Sequence, residues 1–183
     1  MITTAAFVGT SVDGFIARRD GGVDFLGSAD AIDSDMGFAD FMATVDVMVM
    51  GRNTYDTVID IIDDPDGPDW PYGEMKVFVL THRPVDIRPD LAAVVEAATL
   101  APEPLLRELE SRGYGHVYVD GGQTVQSFLR DDLIDEIIVT DVPVLIGGGI
   151  PLFGDLDADI RLGHVDTVVF DNGCVQTRYR VLR

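Results

Sequence analysis

Two short runs of this chain carry the residue types that hold phosphate. The first, VMVMGRNTYD at residues 47–56, drives four apolar residues into Gly51, Arg52 and Thr54, after which a helical pattern begins. Unpaired backbone N–H groups at a helix start, together with the helix dipole, favour a bound anion. Arg52 adds a forked donor matched to phosphate oxygens. The second run, HVYVDGGQTVQSFL at residues 116–129, repeats the arrangement with Gly121, Gly122 and Thr124. Paired glycines let backbone approach a ligand closely. Taken singly, each run is equally an ordinary strand-to-helix turn, with Gly51 relieving strain and Arg52 solvated. Two such junctions in one small domain point to a ligand with several phosphates, and a dinucleotide is the natural candidate.

The elements that must position these corners follow from the apolar pattern. Apolar runs alternate with helical stretches, the signature of an α/β domain. Strands are predicted over residues 4–9, 45–50, 76–81, 92–97, 116–120, 136–144, 165–170 and 174–182, and helices over 33–43, 54–61, 102–111 and 123–130. Runs such as VMVM and VFVL are apolar at every position, which requires burial on both faces and so a parallel sheet. The last two strands alternate and flank Asp171-Asn172-Gly173, an antiparallel hairpin signal. No internal repeat or second domain is visible. The stretch DDPDGPDWPYG at 63–73 reads as a loop.

Composition narrows the partners. The 183 residues suit one domain whose core needs no disulfide or metal staple. The chain contains 26 Asp and 6 Glu against 12 Arg and one lysine, Lys76, for a net charge of −19. Such a field repels nucleic acid and anionic membrane, which are excluded as partners. The charge is scattered, as on a solvated folded surface. A cytoplasm of high salt would screen the self-repulsion; an Arg-rich, Lys-poor proteome is the other source of such a bias. No apolar run of ~18 residues spans a membrane, and MITTAAFVG lacks the features of a signal peptide. Cys174 is the only cysteine and reads as a small core residue, which fits a cytoplasmic location. No Cys/His cluster has metal-ligand spacing, so no metal is expected.

Five motifs then stand in register: SVDGFIA at 11–17, MGRNTYD at 50–56, VFVLTHRP at 77–84, VDGGQTVQSFL at 119–129 and VPVLIGGGIPLF at 142–153. In this order they resemble the dihydrofolate-reductase-like superfamily. The nearest branch is the one containing the C-terminal reductase domain of the bifunctional riboflavin biosynthesis protein. The resemblance covers residues 3–182 and implies a three-layer fold, with helices on both faces of a central, mostly parallel sheet that ends in an antiparallel hairpin. It further implies an NADPH-dependent reductase that forms a homodimer.

Hydride transfer to a C=N or C=O group needs a positioned nicotinamide, a stacked acceptor and a source of protons. The resemblance puts the nicotinamide beside the first strand and the loop after it, here Ala6, Phe7, Gly14, Ile16 and Ala17. It makes Asp13 a polar contact near the reacting end. By the family's spacing from Gly51, the proton-donating carboxylate falls on Asp35, with Asp33 as the alternative N-cap of the same helix. Such a carboxyl would need burial among neighbours such as Met36 and Phe38. Thr81 and Arg83 close the VFVLTHRP motif at the carboxyl edge of the sheet, where ligands bind in open α/β folds. Arg83 with Arg52 would take a 2′-phosphate. Gly147, Gly148 and Gly149 border the cleft, and Leu152 and Phe153 are expected to anchor that loop in the core.

The substrate is narrowed by departures from true dihydrofolate reductases. Residues 55–75 contain no Lys or Arg to hold a folate tail, and an acidic wall would repel it. The N-terminal loop has Asp24-Phe25-Leu26 where such enzymes carry Pro-Trp. Arg18 and Arg19 are the only clustered basic pair nearby. The expected activity is therefore reduction of a pyrimidine, pteridine or similar heterocycle. The nearest named one is 5-amino-6-(5-phosphoribosylamino)uracil reduction. Dihydrofolate reduction is second, and a nucleotide-binding module without turnover is the non-enzymatic alternative.

Overall fold

The computed structural model describes residues 1–31 and 35–183. Ten strands and four α-helices follow one another as β1 (Thr3–Ser11), β2 (Phe15–Ala17), α1 (Phe38–Met42), β3 (Val47–Gly51), α2 (Arg52–Ile62), β4 (Lys76–Leu80), β5 (Val95–Ala98), α3 (Pro102–Ser111), β6 (His116–Asp120), α4 (Gly122–Arg130), β7 (Glu136–Val142), β8 (Ile150–Pro151), β9 (Arg161–Val169) and β10 (Val175–Leu182). Eight strands form one sheet in the order β5-β4-β3-β6-β1-β7-β10-β9. The strands from β5 to β7 in that order are parallel. β10 runs antiparallel to both β7 and β9.

Burial explains the continuous apolar runs. Residues Val47 to Met50 of β3 are all 0% exposed, because this strand lies inside the sheet with helices on each face. Val47 and Val49 pack with Leu105, Leu109, Val125 and Phe128 from α3 and α4. Met48 and Met50 point the other way, into a second core with Phe41 of α1 and Tyr55 of α2. The period-two alternation of side chains thus splits one strand between two cores.

The C-terminal hairpin differs from a half-buried one. Every residue of β9 is exposed or half-exposed, including Leu162, Val165, Val168 and Val169. The alternation in sequence marked a strand over 165–170, but it begins four residues earlier, at Arg161, and neither of its faces is covered. Cys174 is fully buried with Val142, as its reading as a core residue required. Among the described residues no helix is long and apolar enough to cross a membrane.

Two of the strands were not predicted. β2 and β8, of three and two residues, form a separate antiparallel ribbon. They are too short for a periodic signal.

The surface ion pairs are local, such as Arg88 held between Asp63 and Asp90 at 2.6 Å each. They leave most of the acidic surplus uncompensated. If that surplus reflects a saline cytoplasm, the thermal midpoint rises when salt goes from ~0.1 to ~2 M. A flat response would remove that explanation.

Candidate functional site

The two glycine corners lie side by side. β3 and β6 are hydrogen-bonded neighbours with Met50 opposite Asp120, so their carboxyl ends open at the same edge of the sheet. The chain turns into α2 at Gly51 and into α4 at Gly121. Each corner occupies space the other leaves. A Cβ on Gly51 would stand 2.7 Å from the Thr124 hydroxyl, and one on Gly121 would fall on the hydroxyl of Thr54. Gly121 also has φ +89°, a conformation that side chains resist. Neither helix start is capped by a side chain, and neither has an acid in its first turn. In a chain this acidic, two bare helix starts at one point make a site for an anion.

Around them opens a cleft of about 900 Å³. Its boundaries include Phe7 to Gly9 of β1, Ile16 of β2, residues along α2, and Gln123, Ser127 and Arg130 of α4. The β2–β8 ribbon closes against α4, since a Cβ on Gly122 would meet Ile16 Cδ1 at 2.9 Å and the Pro151 carbonyl at 3.0 Å. The ribbon itself is tied down by Asp13, whose carboxylate accepts the N–H groups of Ile146 at 3.2 Å and Gly147 at 2.7 Å. The Ser11 hydroxyl and these N–H groups hold the Asp13 carboxyl below the usual range.

Burial perturbs three titratable groups of the cleft, Asp120, Tyr118 and Tyr72. Asp120 ends β6, and its Oδ1 accepts the Gly121 N–H at 2.8 Å. Burial pushes its carboxyl up to about 6, although the Gly121 N–H and the Tyr118 hydroxyl both favour the charged form. Tyr118 is 4% exposed and donates its hydroxyl to the Phe7 carbonyl at 2.9 Å. Burial, followed by the nearby Asp120 charge, raises both Tyr118 and Tyr72 above the ordinary tyrosine value. A carboxyl that titrates near neutrality inside a cleft has the property needed of a general acid.

The structure brings together most of the residues singled out in sequence. Ile16, Gly51, Arg52, Thr54, Thr81, Gly121, Gly122 and Thr124 all line the cleft. Ala6 does not; it is fully buried beneath it. Arg83 is exposed and outside the lining, and His82 stands in its place. The reason is a tight turn in which the Thr81 hydroxyl donates to the Arg83 carbonyl at 2.8 Å and accepts its N–H at 3.1 Å. Arg52 is partly committed, with Nε on the Asp56 carboxylate at 2.7 Å and Nη1 on the Pro84 carbonyl at 2.7 Å.

Asp35 requires a correction of place. It is exposed, lies outside the cleft lining, and accepts the N–H groups of Gly37 at 3.0 Å and Ala39 at 2.6 Å. Gly37, at φ 82°, is the N-cap of α1, which starts at Phe38, and the Asp35 carboxylate is turned onto the backbone N–H groups of Gly37 and Ala39. The alternative, Asp33, lies outside the described residues. Asp13 is likewise absent from the lining. Leu152 is buried as expected, but Phe153 is 47% exposed. Asp120, Tyr118 and Tyr72 were missed. Asp120 stood next to the glycines that drew notice, while Tyr72 lay in a segment read only as loop.

Among known proteins, the model of the RibD C-terminal domain family matches residues 3–176. Protein YwjB of Bacillus subtilis strain 168, itself uncharacterized, is 31% identical over 177 residues, covering 96% of both chains. The crystal structure of a candidate riboflavin biosynthesis protein from Shewanella sp. PV-4 is 36% identical, covers 100% of both chains and superposes with a TM-score of 0.91. Enterococcus faecalis dihydrofolate reductase complexed with NADP(H) is 15% identical, covers 99% of this chain and 97% of its own, and has a TM-score of 0.64. This last likeness is one of fold alone.

Proposed function

Because the chain belongs to the RibD C-terminal domain family, with the fold of dihydrofolate reductase, we propose that it is an NADPH-dependent reductase of a heterocyclic imine or carbonyl. The nearest activity is reduction of 5-amino-6-(5-phosphoribosylamino)uracil. The observation that carries this reading is Asp120, a carboxyl titrating near 6 in the cleft beside the two bare helix starts.

The residues present suit a dinucleotide. The missing Cβ atoms of Gly51 and Gly121 let the two corners close on one another through Thr124 and Thr54. This brings the uncapped N–H groups of α2 and α4 to one point, where they would donate to the oxygens of a pyrophosphate. Arg52 retains Nη2 for a phosphate, and Arg130 stands on the α4 wall with no acid partner among the described residues. When bound, the nicotinamide supplies a hydride. Asp120 delivers the proton that completes reduction of the C=N or C=O bond, then regains one from water. Tyr118, fixed on the Phe7 carbonyl, holds the aromatic wall beside it.

This division of labour gives a direct test. NADPH fluorescence should change on titration into the protein, and NADPH should be consumed when the uracil substrate is added. Binding without consumption of NADPH by any oxidised heterocycle would leave a nucleotide-binding module. Consumption with dihydrofolate alone would favour the second reading. The composition of residues 55–75 weighs against that outcome, because this stretch is rich in Asp and offers no Lys or Arg to hold a dicarboxylate tail.

A further inference from the structure

Of two adjacent arginines at one end of the cleft, only one is neutralised within the fold. Arg18 is held by Asp24 through two bonds, Nε to Oδ1 at 2.6 Å and Nη2 to Oδ2 at 2.8 Å. Arg19 is exposed, lines the cleft, and is reached by no carboxylate of the described residues. In a chain with a net charge of −19, it is one of two cleft arginines, with Arg130, that no carboxylate of the described residues reaches. Nor does its side chain hang free in solvent. A Cβ built on Gly148 would meet Arg19 Nη2 at 3.0 Å, Nε at 3.4 Å and Cζ at 3.6 Å, so the guanidinium lies across the backbone of the triple-glycine loop. A side chain at position 148 would push it aside by a few tenths of an ångström.

A second donor shares this end of the cleft. Thr57, on α2, is half-buried, and its hydroxyl has no partner among the described residues. A Cβ on Gly21 would be 3.9 Å from that hydroxyl, which brings the loop carrying Arg19 up to this part of α2. Thr57 lies six residues beyond Gly51, about 9 Å along the helix at ~1.5 Å per residue. This end is therefore separate from the phosphate corners. The opposing charge is Asp20, also in the lining, whose Oδ1 is occupied by the Gly22 N–H at 3.0 Å.

We propose that Arg19, seated on Gly148 and assisted by the Thr57 hydroxyl, binds an anionic group of the substrate and so determines specificity. The group is a phosphate or a carboxylate, both of which a guanidinium fork takes through paired bonds. The proposal deepens the reductase reading and rests on it for the word substrate, but its test reads binding alone.

Calorimetry on the NADPH-loaded protein would use D-ribose 5-phosphate, glutarate and D-ribose as probes. The wild type should bind at least one of the two anionic probes, and the one it prefers identifies the group. Arg19→Gln should weaken that binding ~10–100-fold, the range for a charged hydrogen-bonding partner. Arg19→Lys should recover part of it, and neither substitution should alter the weak binding of ribose. Failure of the wild type to bind either anion, or equal binding by Arg19→Gln, overturns the proposal. If Arg19-dependent binding is found but no heterocycle is reduced, the anion site stands and the reductase reading falls.

Discussion

Asp120→Asn is expected to lower turnover about 100-fold or more, the range for removing a positioned general acid. The substitution keeps shape and polarity but removes the proton. In the wild type, the carboxyl at about 6 is protonated below that pH and ionised above it. The rate should therefore fall about tenfold per pH unit above 6 when proton delivery limits it. The Asp120→Asn protein should lose this limb and keep its affinity for NADPH. An unchanged rate, or an unchanged pH limb, would remove Asp120 from the chemistry.

Stability should follow pH through the same group. The folded-state carboxyl sits above its ordinary value of 3.8, so the fold disfavours its charged form. Its contribution is fully present below about 4 and is lost as pH rises through 6. Denaturant titrations across that window should show the wild type losing stability relative to Asp120→Asn. A parallel pair of curves would mean that the carboxyl is not shielded from water.

Gly121→Ala should disable the cleft by a different route. The alanine methyl group would occupy the position of the Thr54 hydroxyl, at a φ of +89° that alanine resists. Backbone strain and overpacking together cost about 3 kcal/mol, lowering the thermal midpoint by roughly 6–12 °C for a chain of this size. NADPH binding should be lost even where the protein remains folded, because pushing Thr54 away separates the two corners whose N–H groups would share a pyrophosphate. Thr54→Ala placed on the same chain separates the two causes. It should recover the steric part of the stability loss and leave the conformational part. No recovery would show that the threonine and the glycine do not press on one another.

The corners were legible in sequence because their signals are local. A strand buried on both faces is apolar at every position, and the glycine that ends it leaves the space that the threonine hydroxyl of the other corner occupies. Met48 and Val49, or Val117 and Val119, announce such strands directly. Asp120 gave no comparable signal. It is one acid among 32, and what distinguishes it is burial between elements distant in the chain. Asp35 misled for the complementary reason. Spacing from Gly51 was carried over as though the helix began before it, whereas Gly37 moves the helix start to Phe38 and turns the carboxylate onto backbone. The substitution of His82 for Arg83 in the lining is a one-residue matter of turn direction, which no periodicity records. Arg19 was noticed as one of a pair, but only folding shows which of the two is already taken.

Thr54 and Thr124 each fill the hollow at the opposite glycine. In any lineage carrying this architecture, the four positions 51, 54, 121 and 124 therefore form one unit of inheritance. A larger residue at either hollow demands a smaller one across from it, so drift at these sites should be correlated or absent. Where a descendant shows one half of that exchange without the other, its two loops will have parted, and the coenzyme will have gone with them.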